Sequence, residues 1–228
     1  MQYLVGLDLG QTTDYTALCV LEQSQCPDPA VRDRPGAAYL CRHLERIALG
    51  TPYTSIVQHV ARLVEREPLR GCPICIDQTG VGRPVVDMFR QARVPGWIIP
   101  VTITGGAGWR QEADGSFHVA KRELVSCLQV LLGQRRLRCV ASLPEAATLT
   151  RELQGFQVKV SASGNEQFGA WRESVKDDIV LAISIAAWFG ERSAVGWDGN
   201  LGGERGVSQV AKAPRGVFGG SSPIPSPW

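Results

Sequence analysis

The sequence predicts an α/β fold: a central mixed sheet in which an antiparallel meander of three strands precedes parallel strands, flanked by helices, with a β-hairpin in the C-terminal half. Three observations predict it. Two apolar runs, Tyr3–Leu7 and Thr16–Leu21, flank a polar turn containing Gly10, the pattern of a hairpin. A third strand, Ala37–Ile47, is read after a Pro- and charge-rich connection. From about residue 97 strands and helices alternate, which calls for parallel pairing through crossovers.

Taken in order, Thr51 or Thr54 is placed to cap a helix through Glu67, with Ile56, Val57, Val60, Leu63 and Val64 on its apolar stripe and Pro68 after it. Cys72–Asp77 is a short apolar strand. Gln78–Arg83 turns the chain, and Pro84 suits the first turn of a helix to Ala92. Trp97–Ile103 is the next strand. Thr104–Trp109 is a glycine-rich loop whose spacing fits neither a dinucleotide fingerprint nor a P-loop. Val119–Leu124 opens a helix to about Leu132, Leu137–Val140 is a short strand, and a helix runs from Pro144 to about Gln154. Phe156–Val160 and Phe168–Trp171 flank Ser161–Asn165 as a hairpin. Lys176–Phe189 is the last ordered element, a helix apolar nearly all round and hence buried. Residues 1–192 are expected to form one domain. The Gly-, Ser- and Pro-rich residues 193–228 are expected to be a disordered tail.

The composition narrows the class. With 44% hydrophobic and 20% charged residues the chain is ordinary globular protein. A net charge of +2 argues neither for nor against nucleic acid. Arg outnumbers Lys 20 to 4, which suits phosphate recognition and equally reflects base composition. Seven scattered cysteines are no disulfide framework and fit a reducing compartment. The lone Cys72–Cys75 pair lies inside an apolar strand and reads as two small buried hydrophobes. No basic-plus-apolar leader opens the chain, and the longest apolar run, Ile179–Phe189, is too short to cross a bilayer. A soluble, cytoplasmic protein with no membrane partner is expected.

The chemistry rests on misplaced acids. Asp8 ends an apolar strand where a carboxylate is costly unless hydrogen-bonded, paired or bound to a cation. Asp77 ends a second such strand, and Asp177–Asp178 opens the most hydrophobic helix. Turn amides would satisfy one Asp, and a helix N-terminus favours acids by itself. Neither accounts for the recurrence. If the two strands are neighbours and the helix packs on them, Asp8, Asp77, Asp177 and Asp178 crowd together, and their repulsion is relieved by a divalent cation. All-oxygen ligands select Mg²⁺ or Mn²⁺. None of the three histidines (His43, His59, His118) has zinc-site spacing. Such a cluster suits phosphodiester hydrolysis with two ions about 3.5–4 Å apart.

In order and spacing, Gly6–Gln11 with Asp14, Ile76–Gly82, Val119–Leu124, Leu143–Ala146 and Lys176–Ala182 resemble the C-terminal nuclease domain of tailed-phage large terminases, across residues 3 to about 192. The resemblance implies an RNase H-like (RuvC-like) fold and an endonuclease that cuts double-stranded viral DNA during packaging in the bacterial host. Two Mg²⁺ or Mn²⁺ ions would bind at Asp8, Asp77, Asp177 and Asp178. Gln11, Asp14 and Thr79 would support them. Arg83, Arg110, Lys121, Arg122, Lys159 and Arg172 are candidate DNA contacts, though each taken singly reads more readily as a solvated surface charge. Lys176 stands where many relatives have His. The chain carries no GxxxxGK[ST] motif, so a separate packaging ATPase, with a small terminase or portal protein, is the expected partner. Three alternatives stay open: a Holliday-junction resolvase-like nuclease, a non-catalytic DNA-binding or assembly protein on the same fold, and an actin/hexokinase-type phosphotransferase, whose Asp-x-Gly-x-Thr loop Asp8–Thr12 also matches.

Overall fold

The structure is a computed structural model that describes residues 2–10, 13–25, 37–155 and 176–194. Among them, eight strands form one mixed sheet in the order β6-β7-β5-β4-β1-β2-β3-β8. The meander comes first. β1 (Gln2–Asp8) pairs antiparallel with β2 (Thr16–Gln25), and β2 with β3 (Ala37–Ile47) across an irregularity at Val20/Leu21. On the other side of β1, β4 (Pro73–Asp77) runs parallel to it. Parallel pairing continues to β5 (Trp97–Thr104) and then β7 (Phe117–Ala120). β8 (Leu137–Cys139) pairs parallel with the far edge of β3.

Strand alternation sends the side chains of β1 into two cores. Val5 and Leu7 face α1 (Tyr53–Val64) and α2 (Arg83–Gln91), packing with Ile56, Val57, Val60, Val85 and Phe89. Leu4 faces the opposite layer, made by α3 (Lys121–Gly133), α4 (Ala146–Gly155) and α5 (Asp178–Ala194). α5 is buried nearly all round because it lies across β1, β2 and β4 and beneath α3. Its approach is very close: a Cβ on Gly6 would stand 2.0 Å from the Ala182 carbonyl oxygen.

Several expected boundaries move. No threonine caps α1: Pro52 holds the N-cap position, Thr51 donates instead to the Ala48 carbonyl at 2.6 Å, and the helix ends at Val64. Val119 and Ala120 close β7, so α3 begins at Lys121. The glycine-rich loop leads into an antiparallel hairpin, β6 (Trp109–Gln111) with β7. Its turn is set by Asp114, which accepts from the Ser116 N–H at 3.0 Å, and by Gly115 at φ 83°. Cys72 and Cys75 are both buried and free. The expected C-terminal hairpin and the tail lie outside the described residues.

Candidate functional site

β1 and β4 end side by side. Asp8 is the register partner of Asp77, which places their backbones about 4.8 Å apart on parallel neighbours. Both side chains lie on the face that α5 covers. Leu4 and Cys75, an even number of residues away, belong to that core, while Leu7 and Ile76 belong to the opposite one. The chain order also runs outward from β1 to β2 and β3 on one side and from β4 to β5 and β7 on the other, and ligands of α/β sheets bind beyond the carboxyl ends of strands where the order reverses in this way.

α5 brings the other two acids. The Asp177 carbonyl accepts from the Leu181 N–H at 2.8 Å, so Asp177 is the N-cap residue and Asp178 the first helical one. The four carboxyls act on one another. Burial pushes Asp8 well above the usual carboxylate range, with Asp77, Asp178 and Asp177 raising it further and Lys121 opposing. Asp77 is pushed up to about 6 by burial, against hydrogen bonds from Thr79 and the charge of Lys121. Asp178 also rises to about 6 through burial and the charges of Asp14 and Asp177. Its Oδ2 is buried and makes no hydrogen bond among the described residues.

Basic and polar groups hold this charge. The Thr79 N–H donates to Asp77 Oδ1 at 2.8 Å, while its hydroxyl accepts from the Ile103 N–H at 2.7 Å. Lys121, the first residue of α3, donates to Asp177 Oδ2 at 2.8 Å. Lys176 pairs with Asp14 at 3.1 Å and donates to the Thr13 carbonyl. Both Lys176 and Arg46 lie over the Tyr15 ring, at 5.6 and 4.5 Å from its centroid. Arg46 also pairs with Glu145 at 3.3 Å.

The donors suit a hard divalent cation: carboxylates only, crowded, partly desolvated, and with one orphaned buried oxygen. Their present rotamers are not those of a closed coordination shell. Among the described residues no group of three or more His, Cys, Asp or Glu side chains is arranged to hold a metal. Asp177 is turned to Lys121 and Asp77 to Thr79, and a cation would have to draw Asp177 away from its lysine.

Of the remaining sequence candidates, Arg83 and Arg110 form exposed ion pairs with Asp114 (2.7 Å) and Glu112 (2.6 Å) of the β6–β7 hairpin. Arg122 lies in the first turn of α3. Gln11, Lys159 and Arg172 lie outside the described residues.

No protein-family model matches the chain, and no curated protein matches it in sequence. Solved structures do match in fold. The large terminase nuclease from thermophilic phage G20c aligns with a TM-score of 0.52 and 21% identity, over 81% of this chain and 80% of that one. The nuclease domain of the large terminase subunit gp2 of bacterial virus Sf6 aligns with a TM-score of 0.52 and 12% identity, over 82% and 88%. A mutant of that Sf6 domain with manganese gives 0.51 and 11% over the same shares. The fold is RNase H-like, that of large terminase nuclease domains.

In this RNase H-like chain the sequence reading missed two groups beside the acids. Glu152 of α4 is 4% exposed, and its Oε2 accepts from the Ile179 and Val180 N–H groups, both at 3.0 Å. Burial pushes its carboxyl up to about 7, the two amides opposing and Asp178 adding to the rise. Arg46, on β3, lies close enough for its charge to lower both Asp178 and Glu152. A Glu in an amphipathic helix and an Arg at a strand end are ordinary in sequence, so only the burial of Glu152 distinguishes it. No helix among the described residues is long and apolar enough to cross a membrane.

Proposed function

We propose that this chain is a metal-dependent endodeoxyribonuclease that cleaves double-stranded DNA, of the kind that cuts viral genomes during packaging. The reading is carried by the convergence of Asp8, Asp77, Asp177 and Asp178 at the carboxyl ends of β1 and β4, on a fold shared with terminase nuclease domains. The manganese of the Sf6 mutant structure supports a divalent ion.

Asp8, Asp77 and Asp177 or Asp178 would together hold two Mg²⁺ or Mn²⁺ ions. Bound there, the ions supply an activated water and a charge that stabilises the leaving oxygen. The chain's own residues prepare the site. Thr79 fixes the rotamer of Asp77. Lys121 offsets the charge of the acids, and with Asp177 turned to an ion its ammonium would be placed to meet a substrate phosphate. Lys176 and Arg46, stacked on Tyr15, flank the acids where a phosphate backbone would pass. Arg83, Arg110 and Arg122, with Lys159 and Arg172, would add sequence-tolerant, salt-sensitive phosphate contacts.

We further read residues 1–192 as the nuclease domain and 193–228 as a tail. A separate packaging ATPase, with a small terminase or portal protein, would be the partner in the host cytoplasm. The test is cleavage of supercoiled plasmid by purified protein with Mn²⁺, Mg²⁺ or EDTA, beside Asp8→Ala. Metal-dependent nicking or linearisation that disappears in the variant is the expected result. Cleavage that is equal in both proteins, or absent with every metal, sinks the proposal.

A further inference from the structure

An N-cap Asp ordinarily turns its carboxylate back onto its own helix, accepting from the N–H of the second or third helical residue. In α5 those residues are Ile179 and Val180, and both N–H groups are already taken by Glu152 Oε2 at 3.0 Å. Asp177, the N-cap residue, instead reaches out to Lys121 at 2.8 Å. The helix cap has therefore been handed to a residue of another helix, 27 positions before Ile179 in the chain.

We propose that Glu152 is a positioning residue: by capping α5 in place of Asp177, it frees the Asp177 carboxylate to turn into the acidic site and bind a divalent cation, the latter half resting on the metal-dependent reading given above. Three features support it. Glu152 is 4% exposed, so its contact with α5 is not a surface accident. Its Oε1 is buried without a hydrogen bond among the described residues, a cost that a merely structural cap would avoid by using a shorter, half-exposed side chain. The amides it holds belong to the two residues directly after Asp178, so one carboxylate fixes the helix end that presents both site acids.

Without Glu152 the Ile179 and Val180 N–H groups lose their acceptor, and the carboxylate of the N-cap residue, Asp177, is the group that ordinarily takes this place. Capping α5 and binding a cation then compete for the same oxygens. Glutamine keeps an oxygen that accepts both N–H groups, so Glu152→Gln should preserve the arrangement, while Glu152→Ala should not.

The experiment has a metal arm and a metal-free arm. Mn²⁺ binding is followed by electron paramagnetic resonance of free Mn²⁺ for wild type, Glu152→Gln and Glu152→Ala, with circular dichroism to verify folding. Glu152→Ala is expected to weaken Mn²⁺ binding about 10- to 100-fold, as when an orienting partner of a metal ligand is lost, and Glu152→Gln to stay within about threefold of wild type. Equal affinity in all three, or equal loss in both variants, overturns the proposal.

In the metal-free arm, Asp177→Ala is introduced into wild type and into Glu152→Ala. If Asp177 takes over the cap when Glu152 is gone, it lowers Tm by about 2–4 °C more in the second background than in the first. Additive changes overturn the cap exchange. If wild type binds no Mn²⁺ at all, the metal-dependent reading fails, and the metal-free arm still decides the cap exchange.

Discussion

Asp8 and Asp77 are register partners on parallel strands, two carboxyls on one face of the sheet with the Asp177–Asp178 end of α5 above them. Such a pair stores repulsion that folding must overcome. Asp8→Asn removes a charge and leaves the shape. It should raise the metal-free Tm by about 2–4 °C, for about 1 kcal/mol, while lowering DNA cleavage at least about a thousandfold, the loss of several kcal/mol of transition-state stabilisation. Calorimetry and plasmid cleavage on the same preparation check both. A variant that is less stable and fully active would refute the assignment of Asp8.

The pH dependence has a definite sign. Asp77 and Asp178 are held at about 6 and Glu152 at about 7, above their unfolded values. Between about pH 4 and 7 the native state therefore binds more protons than the unfolded chain, and stability falls as the pH rises. The contribution is complete below the unfolded values and gone above the folded ones. Metal-free protein should melt higher at pH 5 than at pH 7.5, with a shallower slope in Asp77→Asn. Mn²⁺ binds the ionised form, so its stabilising effect should grow with pH across the same window. A flat profile would mean that the acids are not coupled as described.

Lys121 stands in for a cation. Its ammonium lies 2.8 Å from Asp177, with the two side chains 26% and 20% exposed, and its charge lowers Asp8 and Asp77. Lys121→Met should lower the metal-free Tm by about 2–4 °C, since partial exposure limits the pair to about 1 kcal/mol. Saturating Mn²⁺ should then raise Tm by more in the variant than in wild type, because the ion replaces a missing charge as well as binding. Equal Mn²⁺ shifts in the two proteins would contradict this role.

The acids were legible because they break a pattern: a carboxylate at the end of an apolar strand, or at the head of an apolar helix, stands out against its neighbours. The sheet was legible for a related reason, since β1, β4, β5 and the first half of β2 are apolar runs bounded by turn residues. What escaped depends on distant partners. Glu152 meets backbone amides of another helix, and nothing in residues 146–155 signals it. Lys121 resembled a rim cation because the end of β7 at Ala120, which aims it at Asp177, is hidden in a sequence that continues smoothly into α3. The β6–β7 hairpin was masked by the glycines before it, although Asp114–Gly115 is a turn signal of its own.

The site depends on how closely α5 approaches β1, and Gly6 sets that distance. A methyl at Gly6 would fall 2.0 Å from the Ala182 carbonyl oxygen and 2.9 Å from Cys19 Sγ. The first obstacle is backbone of a buried helix, which no rotamer change relieves. Gly6→Ala must therefore push α5 off the sheet, at about 3 kcal/mol or more, lowering Tm by about 6–12 °C. It should also separate Asp178 from Asp8, two residues further along β1. Chemical denaturation measures the first effect, and Mn²⁺ affinity of the variant at a temperature where it is still folded measures the second. Gly10→Ala, which instead disturbs the turn after Asp8 by meeting the Asp14 carbonyl at 2.1 Å, serves as the comparison. A folded Gly6→Ala protein with wild-type Mn²⁺ affinity would show that the α5 acids are not held in place by this contact.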